Sequence, residues 1–222
     1  MLNHSAWDGV PALRHGFLNG RESAGDWDAV LARLGVPGPL LLPRQVHGTR
    51  VVEARGPSLT ADADAVWTAQ PGILVGIVTA DCVPVLLVDR QRRLAAAVHA
   101  GWRGAAAGIV EATVETLSRE AGSVPDELEA AVGPAIGGCC YEVGEDVITA
   151  FTARTGDLTA PAWTERGGRR HVDLRTAVRL LLERAGVAEV AVLGPCTSCA
   201  AEYHSYRRDG SRGRQLSFAG WA

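Results

Sequence analysis

The chain has no lysine, and all 22 of its basic residues are arginine. This absence excludes lysine Schiff-base chemistry and a P-loop lysine. No apolar run reaches the roughly 18 residues that a membrane span needs, and the N-terminal MLNHSAWDG lacks a signal-peptide pattern. Only five cysteines are present. Because no secretion signal is present, we expect the protein to reside in the reducing cytoplasm. We therefore do not expect its cysteines to form a disulfide scaffold.

The overall composition fits an enzyme domain. Hydrophobic residues make up 47% of the chain, which is enough for a sizeable core, and the formal net charge is −3. That charge argues against a surface that coats nucleic acid. A length of 222 residues suggests one or two domains, and no linker divides the chain. We therefore expect a single catalytic domain over residues 1–222, with no nucleic-acid or membrane partner, as a monomer or weak homo-oligomer.

Hydrophobic periodicity predicts a mixture of strands and helices. The predicted strands are Leu40–Leu42, Arg50–Ala54, Ala65–Thr68, Ile73–Val78, Val85–Asp89, Leu94–His99, Leu128–Val132, Val190–Leu193 and Gln215–Phe218. The predicted helices are Asp26–Leu34, Gly104–Ala121, Glu145–Thr155 and Asp173–Ala185, with an N-cap at Asp173 and a stop at Gly186. The polar stretch Gly156–Arg170 resembles a mobile surface loop. Strict βαβ alternation is absent, which favours a mixed-sheet α/β or α+β sandwich.

Three residues at the ends of strand-like runs form a chemically sensible metal set. They are His47, Cys82 and His99, and His99 lies where a strand ends and a helix begins. Two imidazoles and a thiolate suit zinc, and three protein ligands leave a fourth position for water or substrate. Copper accepts the same ligand types. The alternatives are a core histidine, a surface histidine and a small buried cysteine. Without a metal, Cys82 with either histidine could form a nucleophile–base pair.

Residues beside these three are candidates for catalysis and substrate binding. Asp81 could orient a ligand imidazole, act as a general acid or base, or cap a turn. Arg103 precedes the predicted helix, where backbone N–H groups and a bidentate guanidinium favour phosphate. Arg44 and Gln45 are further candidates for phosphate or ribose contacts, although alternation along an extended chain would separate Arg44 from His47. Trp102 could stack on a purine or belong to the core.

The remaining cysteines carry a weaker signal. We expect Cys139 and Cys140 to be structural, because adjacent cysteines rarely ligate one ion comfortably. Cys196 and Cys199 form a CxxC, which elsewhere signals redox activity or structural zinc. No second CxxC is present, so we expect no function for this motif.

Six short motifs together resemble the YfiH family, also called the laccase-domain, multicopper polyphenol oxidase or peptidoglycan editing factor family. They are RQVHG (44–48), ADADAVWT (61–68), TADCVPVLL (79–87), HAGWRG (99–104), GPAIGGCCYEVG (133–144), and CT followed by SYRRDGSRGRQ (196–215). The segment between RHGFLNGR (14–21) and RQVHG looks shortened relative to the family. His204 stands where the family usually has an aromatic, as a pocket residue or a packing variant.

The resemblance implies both a fold and an activity. The fold is a four-layer α/β/β/α sandwich with mixed sheets, similar to the catalytic domain of cytotoxic necrotizing factor. The activity is a purine nucleoside phosphorylase with adenosine deamination, using zinc at His47, Cys82 and His99. The resemblance also raises one of Arg207, Arg208 and Asp209 to a substrate contact. The candidate nucleoside substrates are adenosine, inosine, guanosine and methylthioadenosine, and phosphate is the expected co-substrate.

Three other functions remain open from the sequence. The older family label implies a copper-dependent phenol oxidase, but multicopper sites need more histidines than the six present. A metal-free cysteine hydrolase acting on amide bonds, such as those of cell-wall precursors, follows from the toxin-like fold. A non-enzymatic scaffold would leave the clustered ligands and glycine turns unexplained.

Overall fold

The computed structural model describes residues 1–22, 26–36, 38–210 and 212–222. Twelve strands lie in these parts of the chain: β1 Leu13–Phe17, β2 Leu40–Leu41, β3 Val51–Glu53, β4 Ala65–Thr68, β5 Leu74–Thr79, β6 Val83–Asp89, β7 Leu94–Ala100, β8 Leu128–Val132, β9 Trp163–Arg166, β10 Arg169–Val172, β11 Glu189–Val192 and β12 Gln215–Trp221. The α-helices are α1 Trp27–Arg33, α2 Trp102–Ala107, α3 Ile109–Ala121, α4 Glu145–Thr155, α5 Leu174–Arg184 and α6 Tyr206–Asp209.

Two mixed sheets form the centre of the fold. The larger sheet has the order β11-β8-β6-β7-β4-β3, and only its outermost pairs, β11 with β8 and β3 with β4, are parallel. The smaller sheet has the order β1-β12-β5-β2, with β2 parallel to β5 and the other pairs antiparallel. The loops between β2 and β3 and between β5 and β6 therefore cross from the small sheet to the large one.

The central strands are buried on both faces, and the alternating direction of their side chains produces four layers. In β6, Leu86 and Val88 face the small sheet, whereas Val85 and Leu87 face the helices α3 and α5 on the outer side. In β12, Phe218 packs instead with α1 on the outer side of the small sheet. Both faces of each sheet are thus apolar and covered, which explains the continuous hydrophobic runs of the central strands. The expected α/β/β/α sandwich with mixed sheets is confirmed.

Two expectations about local structure are wrong. The single helix predicted over Gly104–Ala121 begins at Trp102 and is interrupted at Gly108, whose φ of +101° ends α2 and starts α3. The stretch Gly156–Arg170 is not a mobile loop, because it forms a 3₁₀ segment over Gly156–Ala162 and then enters the β9–β10 hairpin. Its polar residues are consistent with a hairpin whose strands are largely exposed.

The predicted N-cap and stop of α5 are both confirmed. The Asp173 carboxylate accepts hydrogen bonds from the backbone N–H groups of Arg175 and Thr176, at 3.1 and 3.4 Å. At the other end, Gly186 takes a φ of +94° just after α5. None of the helices in the described parts of the chain is long and apolar enough to cross a membrane.

Candidate metal centre and cavity

The fold brings His47, Cys82 and His99 together. His47 lies in the loop between β2 and β3, Cys82 in the loop between β5 and β6, and His99 near the end of β7. One ligand atom from each lies within 4.8 Å of the other two, and the two imidazole rings meet edge to face with centroids 4.8 Å apart. The candidate metal site therefore lies where the chain twice passes between the sheets.

Asp64 holds this group in place from behind. Its carboxylate is fully buried, and it accepts hydrogen bonds from the backbone N–H groups of His47 and Gly48 at 2.9 and 2.7 Å. The same carboxylate lies 2.8 Å from Nδ1 of His99. A proton on Nδ1 leaves Nε2 of His99 as the ligand atom, the usual arrangement for a metal-binding histidine.

Two residues at the site have unusual backbone conformations. His47 has a φ of +62° and Asp81 a φ of +82°, in the left-handed region that non-glycine residues seldom adopt. Such conformations are unfavourable and persist where the surrounding contacts determine them, often at functional sites. For His47, the contacts that do so are the hydrogen bonds to Asp64.

The donor set of this group fits a zinc or copper ion. Gly101 packs directly against two of the ligands, since a Cβ there would lie 3.1 Å from Cδ2 of His47 and 3.2 Å from the Cys82 sulfur. Two imidazole nitrogens and one thiolate also match the donors of catalytic zinc sites with an open fourth position.

Substituting alanine for Gly101 should therefore weaken metal binding. The new methyl group would displace His47 and Cys82, and we expect metal affinity to fall by about tenfold or more, comparable with the loss of an outer-shell partner. Competition with a chromogenic chelator measures this affinity. Gly9→Ala is the matched control, because a Cβ at Gly9 meets no atom within 4 Å. Equal affinities of the two variants would contradict the role given to Gly101.

Cys82 and His99 perturb each other's protonation in the metal-free protein. Burial raises the pKa of the Cys82 thiol, but hydrogen bonds with His47 and His99 outweigh it and lower the pKa to about 6. Burial likewise lowers the pKa of His99, but Asp64 and Cys82 outweigh that effect and raise it to about 9. Between these values the metal-free site holds a thiolate beside an imidazolium, and a metal ion would take the place of the proton.

Alkylation should reveal this thiolate. Because the pKa of Cys82 is lowered, its thiolate persists at pH 7 and is lost as the pH falls through about 6. We expect Cys82 of the metal-free protein to react with iodoacetamide at a rate whose pH midpoint is about 6. Peptide mass mapping measures this reaction, and zinc should suppress it. Cys139, whose pKa is raised to about 12, is the internal control and should react slowly at pH 7. A midpoint near the ordinary thiol value of about 8.5 would contradict the ion pair.

Asp81 lines the cavity and is held by the C-terminal loops, and a catalytic role for it stays a prediction. Its carboxylate accepts hydrogen bonds from the Thr197 hydroxyl at 2.7 Å, the Ser205 hydroxyl at 3.1 Å and the backbone N–H of Arg207 at 2.7 Å. The residue that orients the His99 imidazole is Asp64, which the sequence did not single out. Asp81 instead positions the C-terminal loops beside Cys82.

A cavity of about 660 Å³ opens in front of the three ligands. Its lining includes Pro43, Gln45, His47, Val78, Thr79, Ala80, Asp81, Cys82, His99, Trp102, Arg103, Ile136, Tyr141, Leu174, Tyr206, Arg207 and Arg214. Three arginines and three aromatic side chains thus share one cavity with the metal ligands. Its volume lies within the range typical of small-molecule sites.

The structure contradicts the expected phosphate or ribose contact at Arg44. Its guanidinium forms a two-pronged ion pair with Asp62 and lines a separate surface depression. Successive side chains of an extended chain point in opposite directions, so Arg44 points away from the cavity while Gln45 faces it. The Gln45 amide is itself engaged, because it donates to the Val78 carbonyl and accepts from the Val78 N–H, both at 2.8 Å. Gln45 therefore anchors the His47 loop to β5.

Arg103 lines the cavity, although it does not lie where the sequence placed it. It lies in the first turn of α2 rather than before the helix, and its guanidinium stacks on Trp102 at 4.4 Å from the ring centroid. Trp102 is half-buried and lines the cavity, which suits both alternatives proposed for it. Gly104 allows a close approach of α2 to the His47 loop, since a Cβ there would lie 2.9 Å from the Gly48 carbonyl oxygen.

The charged turn near the C-terminus contributes Arg207 to the cavity. Arg207 stacks over Tyr141 at 5.1 Å and donates to the carbonyls of Cys140 and Glu142. Arg208 is directed elsewhere and donates to the Thr197 carbonyl at 2.9 Å and to several carbonyls nearby. His204 is absent from the cavity lining and packs against Gly20 and Gly213 instead, as expected of a packing variant.

The four remaining cysteines form a second cluster, which the sequence did not predict. Ligand atoms of Cys139, Cys140, Cys196 and Cys199 all lie within 4.8 Å of one another. The partner of the CxxC is thus the adjacent pair Cys139–Cys140, which no motif with regular spacing would indicate. All five cysteines of the chain are free thiols.

The chain is similar in sequence and in fold to known proteins. The sequence model of the family described as multi-copper polyphenol oxidoreductase laccase matches residues 23–222. A purine nucleoside phosphorylase of Deinococcus radiodurans is 46% identical over 178 residues, covering 79% of this chain and 68% of that protein. The adenosine deaminase RL5 of an unknown prokaryotic organism is 38% identical over 185 residues, covering 77% and 70%.

A solved structure extends the likeness to the fold. The crystal structure of the Bacillus licheniformis hypothetical protein YfiH matches with a TM-score of 0.87 and 28% identity, covering 97% of this chain and 94% of that one. The likeness to cytotoxic necrotizing factor stays a prediction. On the family match, the relatives and this structure, the chain belongs to the multi-copper polyphenol oxidoreductase laccase family, which includes the YfiH proteins.

Proposed function

We propose that this chain is a purine nucleoside phosphorylase that uses a zinc ion held by His47, Cys82 and His99. The observation that carries the proposal is the shared cavity, in which these three ligands face arginines and aromatic side chains. Relatives named purine nucleoside phosphorylase support the same class of reaction. When bound, the zinc would supply Lewis-acid polarisation or activate a water molecule.

Arg103 and Arg207 are the proposed phosphate ligands. Both line the cavity, and an arginine presents a fork of N–H donors that matches phosphate oxygens. Each guanidinium is also held over an aromatic ring, Trp102 or Tyr141, which limits its motion before substrate binds. The arginines would place a phosphate oxygen against the anomeric carbon of the ribose.

Aromatic residues would bind the purine. Trp102, Tyr141 and Tyr206 line the cavity, and flat rings stack on a nucleobase. Burial raises the pKa of Tyr141 to about 12, so its phenol stays protonated and can donate a hydrogen bond to a purine nitrogen. As phosphate forms its bond to the anomeric carbon, the bond to the purine breaks and its electron pair leaves with the base. A hydrogen bond from Tyr141 would stabilise that charge.

Removing Arg103 should impair phosphate binding. A hydrogen bond to a charged group contributes about 1.5–3 kcal/mol, so we expect Arg103→Ala to raise the KM for phosphate by about 10- to 100-fold. The KM for the nucleoside should change less. Arg44→Ala is the matched control, because Arg44 pairs with Asp62 outside the cavity, and it should leave both constants unchanged. A larger effect of Arg44→Ala would overturn this assignment.

Adenosine deamination is the second candidate. The open fourth position of a three-ligand site is the observation that favours it, and RL5, 38% identical over 185 residues, is named an adenosine deaminase. Both reactions would use the same cavity, with a water molecule attacking the amino-bearing purine carbon in place of phosphate attacking the ribose.

Chromatography of adenosine incubated with metal-quantified protein separates these reactions. Adenine and ribose 1-phosphate that appear only with phosphate would support the phosphorylase, and inosine formed without phosphate would support the deaminase. Unchanged adenosine in both reactions, with one zinc ion bound per set of His47, Cys82 and His99, would overturn the nucleoside proposal. Oxygen consumption with a phenol and copper-loaded protein would favour the oxidase implied by the family's description instead.

A further inference from the structure

The four-cysteine cluster lies outside the cavity lining, and two loops build it. Cys139 and Cys140 follow β8, whereas Cys196 and Cys199 follow β11, and these two strands pair in parallel, with Val132 opposite Val192. Because the two strands are parallel, both loops leave the large sheet at the same end of its strands. Cysteines 56 or more residues apart in sequence therefore meet in space because of the sheet topology.

The sulfur positions match a tetrahedral metal site. Four thiolates bound to zinc at about 2.3 Å lie about 3.8 Å apart. Here the Cys199 sulfur lies 3.6 Å from that of Cys139 and 3.4 Å from that of Cys140, and all four ligand atoms lie within 4.8 Å of one another. Little movement would bring them to the corners of a tetrahedron around one ion.

A backbone N–H at the cluster is placed to stabilise the thiolate of Cys196. The N–H of Gly137 donates to the Cys196 sulfur at 3.2 Å, and the N–H of Cys199 donates to the Cys196 carbonyl at 3.1 Å, which closes the turn between the two cysteines. A backbone donor such as the Gly137 N–H satisfies the negative charge that metal-bound sulfur carries. Gly137 also permits the approach of the loops, since a Cβ there would lie 3.3 Å from Cys196 Cβ and 3.4 Å from the Cys139 sulfur.

We propose that Cys139, Cys140, Cys196 and Cys199 bind a structural zinc ion, separate from the metal centre of the cavity. Four protein ligands leave no open position, which distinguishes a structural zinc site from a catalytic one. The thiolate-only donor set has no imidazole or carboxylate to favour harder ions. The ion would replace the thiol protons and join the two loops covalently.

The proposed zinc would fix one wall of the cavity. Cys140 immediately precedes Tyr141, and the Cys140 carbonyl accepts a hydrogen bond from Arg207. On the other loop, Thr197 follows Cys196 and donates to Asp81. The cluster therefore connects both loops that carry the aromatic and cationic side of the cavity to the turn that holds Cys82.

Metal analysis in a background without the cavity site tests this proposal independently of the proposed function. We expect Cys82→Ala protein, purified without added metal or chelator, to carry one zinc per chain by elemental mass spectrometry. Adding Cys199→Ser should remove that zinc, whereas adding Ser198→Ala, a control in the same turn, should not. Zinc-free Cys82→Ala, zinc retained in the Cys199→Ser chain, or iron or copper in place of zinc would overturn the proposal.

X-ray absorption at the zinc edge provides a test that leaves the cluster unmutated. In Cys82→Ala protein the proposal predicts a single shell of four sulfurs at about 2.3 Å. A shell containing nitrogen or oxygen would overturn it. So would intact-mass measurement that finds folded, metal-free chain about 2 Da lighter, because the thiols would then form a disulfide.

Discussion

Cys82→Ala protein should lose the metal of the cavity and nearly all phosphorolysis. The sulfur is one of three ligands, and its loss should cost more than the roughly 10- to 100-fold in metal affinity that follows loss of an outer-shell partner. We expect activity to fall at least as far. Elemental analysis and the rate of ribose 1-phosphate formation measure the two losses, which should occur together.

The same variant distinguishes a metal ligand from a nucleophile. A cysteine hydrolase would lose activity in Cys82→Ala although the wild-type enzyme needs no metal. The thiolate and imidazolium that such a hydrolase needs are present in the metal-free site, as the lowered pKa of Cys82 and the raised pKa of His99 indicate. Full activity of metal-free wild-type protein would favour that mechanism and contradict the zinc proposal. Full metal and full activity in Cys82→Ala would contradict both.

Asp64→Asn should have the second-largest effect, although Asp64 faces away from substrate. The asparagine keeps one oxygen for His99 but turns an NH₂ group toward N–H donors such as that of Gly48, which now meet no acceptor. We expect a loss of about 10- to 100-fold in metal affinity. A buried unpaired donor should also lower the free energy of unfolding by about 1–3 kcal/mol. Chelator competition and denaturant unfolding measure these changes.

Asp62→Asn is the matched control for that variant. Asp62 lies two residues earlier, is partly exposed and pairs with the exposed Arg44, so the same change of charge should have little effect on metal binding or stability. The pH dependence should differ too. Hydrogen bonds from His99 and the backbone overcome the effect of burial and lower the pKa of Asp64. Its contribution to stability is therefore present at neutral pH and lost in acid. Equal effects of the two substitutions would contradict the role of Asp64.

The sequence predicts the metal ligands but not the residue that orients them. His47, Cys82 and His99 stand out because each borderline ligand follows an apolar run. Asp64 does not, because its importance depends on complete burial and on contact with a histidine 35 residues away. Alternation places Asp62 outside and Asp64 inside, and the composition of the ADADAV segment cannot indicate which aspartate faces the site.

The order of strands in the sheets explains what else the sequence could not reveal. Periodicity locates most strands and most helical segments, but it does not show that β8 and β11 pair in parallel. That pairing brings Cys139 and Cys140 to the CxxC at Cys196. The incorrect prediction for Arg44 has a local cause, since an offset of one residue along an extended chain reverses the direction of a side chain.

The measurement that tests the central claim most directly is a zinc titration of metal-free protein during phosphorolysis of adenosine. Wild-type and Cys82→Ala chains are compared at each zinc concentration, with ribose 1-phosphate as the measured product. The account predicts that wild-type activity returns as zinc occupies His47, Cys82 and His99, and that Cys82→Ala stays inactive after taking up zinc at its four-cysteine cluster. Activity in the metal-free wild-type chain, or equal recovery in both, would contradict it.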